Sequence, residues 1–187
     1  MYYLLKKDPF FEPEPYRLRT TGWNEDIDDS EFTDGNYLTK TFDKAFEFDL
    51  YEYQKGDIGM AEFHSQPFPI MSDKLIAALR EAGVDNLQTF PATLKGHHSG
   101  IDITNYKVVN VVGKIAAADM GKSDYIDMGG MGIIALGFKD LVIDETKTYG
   151  ALLFRLVESI TDTIIHKTVK NHLETCGFNY LRYLPCE

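Results

Sequence analysis

The spacing of hydrophobic residues predicts two short helices, each ended by a glycine. In the first helix, four apolar side chains recur at the three- and four-residue intervals of a single helix face: Leu75, Ile76, Leu79 and Ala82. Ser72 can cap this helix because its hydroxyl can accept a bond from a backbone N–H of the first turn, and Gly83 can end it in the left-handed conformation. A second helix is predicted over Thr168–Cys176 and ends at Gly177.

Runs of β-branched and aromatic residues between turn residues predict that most of the remaining ordered segments are strands. The predicted strands are Tyr2–Leu5, Asn86–Phe90, Tyr106–Val112, Gly132–Phe138, Leu141–Ile143, Ala151–Val157, Thr163–His166 and Asn179–Leu184. Because strands outnumber helices, the sequence predicts an α+β fold, a mostly antiparallel sheet with two or three short helices. A length of 187 residues fits a single domain.

One stretch of sequence is echoed later in the chain. Leu79–Pro91 and Leu173–Pro185 share leucine, glycine, leucine and proline at the same relative positions. Two interpretations are open. Either a duplicated half supplies two similar surfaces, or separate helix–turn–strand units use the same residues as boundaries.

Composition distinguishes the N-terminal third from the rest of the chain. Residues 1–60 are rich in aromatic side chains and carry 14 acidic and 7 basic residues, whereas residues 61–187 carry 15 and 12. We therefore expect an acidic, aromatic-rich N-terminal arm over residues 1–60, packed on an α+β body formed by residues 61–187. The acidity is densest in Asn24–Asp34, hereafter the acidic segment, where six of eleven residues are Asp or Glu. Such a run is also typical of a merely solvated loop.

The charge and cysteine content exclude several classes of protein. A net charge of −10 argues against nucleic acid as a partner, because binding to phosphates depends on clustered Lys and Arg. No apolar run reaches the roughly 18 residues of a membrane span, so no membrane contact is expected. The start of the chain does not resemble a secretory signal, and two cysteines form no disulfide framework. These features predict a cytoplasmic protein.

Motifs that carry chemistry are few. The adjacent pair His97–His98 favours a solvated loop over a metal site, since neighbouring side chains point apart on an extended chain. The glycine-rich run at residues 127–134 matches neither phosphate-binding glycine pattern and is interpreted as a turn or loop. Cys176 is expected to be buried on the second helix, and Cys186 to be exposed near the end. We predict no catalytic residue, no metal and no cofactor; a small enzyme or ligand-binding domain with an unrecognised pocket is the alternative.

The order of three segments resembles a known protein family. Pro69–Pro91, Tyr106–Ser123 and Phe138–Ser159 together resemble the family-eleven immunity proteins of bacterial polymorphic-toxin systems. The resemblance covers about residues 69–184 and is best at Leu79–Phe90 and in the Leu-x-x-Asp-Glu block at Leu141–Glu145. It implies a non-enzymatic protein that binds a cognate toxin and neutralises it, and it transfers no catalytic residue to this chain.

The acidic segment is the predicted contact with the toxin, because it combines the densest charge with aromatic side chains and lies outside the family resemblance. The predicted partner-binding residues are Trp23, Glu25, Asp26, Asp28, Asp29, Glu31 and Asp34. Interfaces concentrate their binding energy in a few aromatic and charged residues of this kind. The loops at His97–Asp102 and Tyr125–Met131 are the alternative contact surfaces.

Overall fold

The computed structural model describes residues 1–7, 16–20, 29–52, 60–65, 69–127, 136–159, 161–178 and 180–187. Its strands are β1 (Tyr2–Lys7), β2 (Tyr16–Thr20), β3 (Phe46–Glu52), β4 (Phe63–His64), β5 (Ile70–Ser72), β6 (Leu87–Gly96), β7 (Asp102–Val111), β8 (Lys114–Ile115), β9 (Asp124–Asp127), β10 (Leu136–Asp140), β11 (Leu153–Leu156), β12 (Thr163–His166) and β13 (Leu181–Pro185). The helices are α1 (Asp73–Glu81) and α2 (Lys167–Thr175), and two 3₁₀ turns cover Asp29–Phe32 and Glu145–Lys147.

The strands form three sheets. A six-stranded sheet has the order β2-β3-β6-β7-β5-β4, a five-stranded sheet has the order β13-β1-β12-β11-β8, and β9 pairs with β10. The α+β class and the antiparallel majority are therefore confirmed. Each large sheet is nevertheless mixed, because β3 runs parallel to β6 and β8 runs parallel to β11. Parallel neighbours are joined by long crossovers, which local sequence patterns do not reveal.

Both helices pack in a core that the two large sheets share. Leu75 and Leu79 of α1 and Leu173 of α2 lie in one cluster with Val109 from the six-stranded sheet and Ile165 from the five-stranded sheet. All five side chains are fully buried. Because one hydrophobic core joins the sheets, the described residues form one domain. Neither described helix has the length or apolar composition to cross a bilayer.

Residues 1–60 contribute three described strands where the sequence predicted one. β1 lies between β12 and β13 in the five-stranded sheet, whereas β2 and β3 extend the six-stranded sheet beyond β6. Side-chain burial alternates along β3. Phe46, Phe48 and Leu50 are buried in a second hydrophobic core, which includes residues of the six-stranded sheet. This alternation is the period-two pattern of a half-buried strand.

The strand predicted to end at Pro91 continues to Gly96. Strand β3 pairs with β6 only from Ala92 onward. The part of β6 before Ala92, including Pro91, is therefore not hydrogen-bonded to β3. Proline is tolerated at such an unpaired edge because its missing N–H interrupts no ladder. The prediction of a strand end at Pro91 was therefore wrong.

The echoed segments have the same local topology. Strand β5, helix α1 and strand β6 enclose β7, which is antiparallel to both strands. Strand β12, helix α2 and strand β13 enclose β1 in the same way. The sequence echo thus falls in two split β–α–β units whose helices contact each other. Both interpretations of the echo predict this shared local topology.

Gly83 and Gly177 both have positive φ, at 92° and 71°. After α1, the Val84 N–H bonds to the Leu79 carbonyl at 3.0 Å and the Gly83 N–H bonds to the Arg80 carbonyl at 2.9 Å, the two bonds of a Schellman motif. A Cβ at Gly83 would lie 3.2 Å from Leu152 Cδ1, whereas one at Gly177 would meet nothing within 4 Å.

We therefore expect Gly83→Val to destabilise the protein more than Gly177→Val, although each costs on the order of 1–3 kcal/mol of unfolding free energy. Both variants strain the backbone, but only the first also crowds the core at Leu152. Denaturant unfolding of the two variants beside the parent measures the difference. Equal stability of all three proteins would contradict the assigned helix ends.

Candidate functional site

The structure describes only the end of the acidic segment. Asp29 begins the first 3₁₀ turn, Glu31 is half-buried and Asp34 is exposed. The remaining four predicted contact residues, Trp23, Glu25, Asp26 and Asp28, lie outside the described residues.

A buried aromatic ring fixes this end of the acidic segment to the six-stranded sheet. Phe32 has no exposed surface. Its ring centroid lies 6.0 Å from that of Phe42 and 5.6 Å from those of Phe46 and Phe90, edge-on to the last two. Burying a phenylalanine contributes about 2–3 kcal/mol. Asp34 therefore lies two residues after a side chain that is anchored in the core.

The residues that follow Asp34 are bonded to the sheet. The bonds are Gly113 N–H to the Gly35 carbonyl at 2.8 Å, Asn110 Nδ2 to the Asn36 carbonyl at 2.8 Å, and Leu38 N–H to Gln88 Oε1 at 2.8 Å. A Cβ at Gly35 would lie 2.9 Å from Lys114 Cβ, and its φ is 74°, so this close approach requires glycine. The acidic segment thus ends on a rigid platform formed by the Leu87 end of β6 and the Val111 end of β7.

At the opposite ends of these two strands, a buried carboxylate holds the β6–β7 turn. Glu52 is 4% exposed, and its oxygens accept bonds from the His98 N–H at 2.9 Å and the Ser99 hydroxyl at 2.7 Å. Burial alone raises the pKa of Glu52, but the bonds from His98 and Ser99 outweigh burial and lower the pKa to about 2. The carboxylate is therefore ionised at neutral pH and is fully used in shaping the turn.

His97 is more constrained than the predicted solvated loop. Its ring stacks on Tyr51 with centroids 4.2 Å apart and planes 9° apart, and its Nε2 lies 3.0 Å from Asp49 Oδ1. Ile101, in the same turn, is 65% exposed. Among the described residues, no three metal-ligating side chains are grouped so that they could hold an ion.

Neither cysteine lies in its expected environment. Cys186, expected to be exposed, is buried, and burial raises the pKa of its thiol to about 12. Cys176, expected to be buried, is only half-buried, and its Sγ lies 3.6 Å from His172 Nε2. That nitrogen also lies 3.6 Å from Glu81 Oε2. Because both neighbours face the same imidazole nitrogen, the arrangement is not a relay in which a carboxylate orients a base toward the thiol.

Of the two alternative contact loops, the structure describes His97–Asp102 completely and Tyr125–Met131 only as far as Asp127. The glycines of residues 127–134 also lie outside the described residues. Tyr125 is 40% exposed and Ile126 is 49% exposed on β9.

No protein-family model matches the chain, and a search of curated proteins finds no match.

Proposed function

We propose that the protein is a non-enzymatic immunity protein that binds a cognate bacterial toxin and neutralises it. The observation that carries the proposal is the anchored end of the acidic segment. Phe32 is completely buried, and the residues that follow Asp34 are hydrogen-bonded to β6 and β7. The C-terminal end of the acidic segment is therefore held in a fixed position on the six-stranded sheet. A segment with an anchored end loses less entropy on binding than a free segment does.

The kind of partner follows from charge. The chain has a net charge of −10, and six carboxylates fall within eleven residues of the acidic segment. A surface patch whose charges have one sign associates faster with a surface of the opposite sign, and it disfavours partners of like charge. The partner that this surface fits is a toxin with a basic contact face, and the two proteins would bind each other in the cytoplasm.

The polar residues of the β6–β7 turn are consistent with a binding scaffold. Glu52, which is buried and ionised, accepts bonds from the turn itself. His97 is held by Tyr51 and Asp49. These groups stabilise a defined surface.

Co-expression tests the proposal. The chain is produced together with the toxin-like protein encoded next to its gene, in cells that the toxin alone kills. We expect growth to be restored. Continued killing while the chain is well expressed and folded would contradict the proposed function.

A further inference from the structure

A strained turn carries the most exposed large hydrophobic side chain of the described residues. Tyr149 is 92% exposed and has a φ of 53°, and Gly150 follows with a φ of 75°. The Ala151 N–H bonds to the Thr148 carbonyl at 3.0 Å. Two positive φ angles closed by this bond define a type I′ turn, which usually takes Asn, Asp or Gly at its central positions.

Tyrosine is unfavourable at this position for two reasons. A positive φ brings the Cβ of an L-residue close to a backbone carbonyl, and Tyr149 is the one non-glycine residue in the described part of the chain that adopts it. The ring is also left in water, where it gains nothing from burial. Strained residues held in place by their surroundings are typical of functional sites.

The base of the turn is rigid. Thr148 is 2% exposed, and its hydroxyl accepts a bond from the Tyr2 hydroxyl at 2.9 Å and donates one to the Glu145 carbonyl at 2.9 Å. The Tyr2 ring in turn packs edge-on against Phe154, with centroids 5.7 Å apart. The turn therefore presents Tyr149 from a fixed support, which limits the entropy lost when the ring is bound.

The turn lies within one interface width of the described end of the acidic segment. The Gly35 carbonyl accepts a bond from the Gly113 N–H, and the Gly113 carbonyl accepts one from the Arg155 N–H at 3.2 Å. Tyr149 precedes Arg155 by six residues, which span at most about 20 Å. With two strand spacings of about 5 Å each, the described end of the acidic segment and the turn are no more than about 30 Å apart. A standard interface of about 800 Å² per partner has roughly this width.

We propose that Tyr149 is an aromatic anchor that enters an apolar cleft of the same toxin whose basic face meets the acidic segment. This inference rests on the proposed function and names a contact for it. Tyrosine suits such a role because it brings a large ring with few rotatable bonds, and it is enriched among the residues that dominate binding energy.

The test uses the complete chain and a catalytically inactivated form of the neighbouring toxin as the probe. Tyr149→Ala removes the ring, Tyr149→Asn removes the ring and relieves the strain, and Tyr149→Phe keeps the ring. Asn171→Ala is the control, since Asn171 is an exposed, uncharged residue on α2 and lies outside all of the predicted contact surfaces. Calorimetric titration gives the Kd of each variant, and thermal unfolding gives its Tm.

We expect Tyr149→Ala and Tyr149→Asn to raise the Kd by about 30-fold or more, and Tyr149→Phe and Asn171→Ala by less than about threefold. Tyr149→Asn should also raise the Tm by about 2–4 °C, so a more stable protein would bind more weakly. If the parent binds and both Tyr149→Ala and Tyr149→Asn bind equally well, the anchor assignment is overturned and the proposed function stands. If the parent itself does not bind, the proposed function fails and the anchor assignment fails with it.

Discussion

Association with the toxin is expected to slow by about tenfold or more at low salt when the carboxylates of the acidic segment are replaced by amides. The replaced residues are Glu25, Asp26, Asp28, Asp29, Glu31 and Asp34. The proposed reason is electrostatic steering: the negative charge of the acidic segment attracts a basic face before contact, and screening removes that attraction beyond about 10 Å at 0.1 M salt. Association rates at several ionic strengths should therefore show a flatter salt dependence for the variant than for the parent.

A control with the same change in net charge separates local from global electrostatics. It replaces six exposed acidic residues of the body: Glu81, Asp85, Asp124, Asp140, Glu174 and Glu187. We expect this control to retain most of the association rate and of the salt slope. Equal slowing in both variants would show that net charge, rather than the acidic segment, steers the toxin. No slowing in the acidic-segment variant would move the interface elsewhere.

Glu52→Gln is expected to lower the unfolding free energy by about 2 kcal/mol at neutral pH. The buried carboxylate accepts bonds from the His98 N–H and from the Ser99 hydroxyl, and an amide places a donor where an acceptor is required. For a chain of this length the loss corresponds to a fall in Tm of about 4–8 °C. Thermal and denaturant unfolding at pH 7 measure it.

The same substitution should change the acid sensitivity of the fold. Folding lowers the pKa of Glu52 from 4.5 to about 2, so the unfolded chain binds the proton more tightly than the folded chain does. The carboxylate thus contributes its full stabilisation above about pH 4.5, and this is lost as the pH falls from 4.5 toward 2. Unfolding measured over that range should show a shallower loss of stability in Glu52→Gln than in the parent.

Glu47→Gln is the matched control for Glu52→Gln. Glu47 lies on the same strand but is half exposed, and its contact with Lys95 at 2.8 Å is a surface ion pair. Such pairs contribute about 0–1 kcal/mol. If Glu47→Gln and Glu52→Gln were equally destabilising, or if neither changed the acid profile, the assigned role of Glu52 in the turn would be wrong.

Local signals in the sequence predicted the elements that depend on local physics. Ser72 caps α1, accepting a bond from the Leu75 N–H at 3.1 Å, and Gly83 and Gly177 end the two helices as expected. The strand at Thr163–His166 has the predicted bounds. Capping, left-handed glycines and β-branched runs act over a few residues, so the sequence alone exposes them.

The features that the sequence did not reveal depend on residues far apart in the chain. Glu52 meets the turn at His98 and Ser99, 46 and 47 residues later, and no spacing rule links a carboxylate to a turn at that distance. The parallel pairing of β3 with β6 is equally non-local. Tyr149 carried a weak signal, since a residue directly before a glycine in a short turn often needs a positive φ.

The acidic segment was predicted from composition, and the structure adds how its described end is attached. Aromatic density in residues 1–60 suggested packing on the body, and Phe32 provides it within a cluster of phenylalanines from β3, β6 and the connecting loop. Composition could indicate that these rings are buried but not which strands receive them, because that choice depends on the sheet order.

A titration of the purified toxin with the purified chain shows whether the chain neutralises the toxin. The chain is titrated into a fixed, active concentration of the toxin encoded beside it, well above their Kd, and the toxin's own activity is followed. We predict that toxin activity falls linearly with added chain and is abolished at a fixed stoichiometric ratio. Undiminished toxin activity in a large molar excess of folded chain would contradict it.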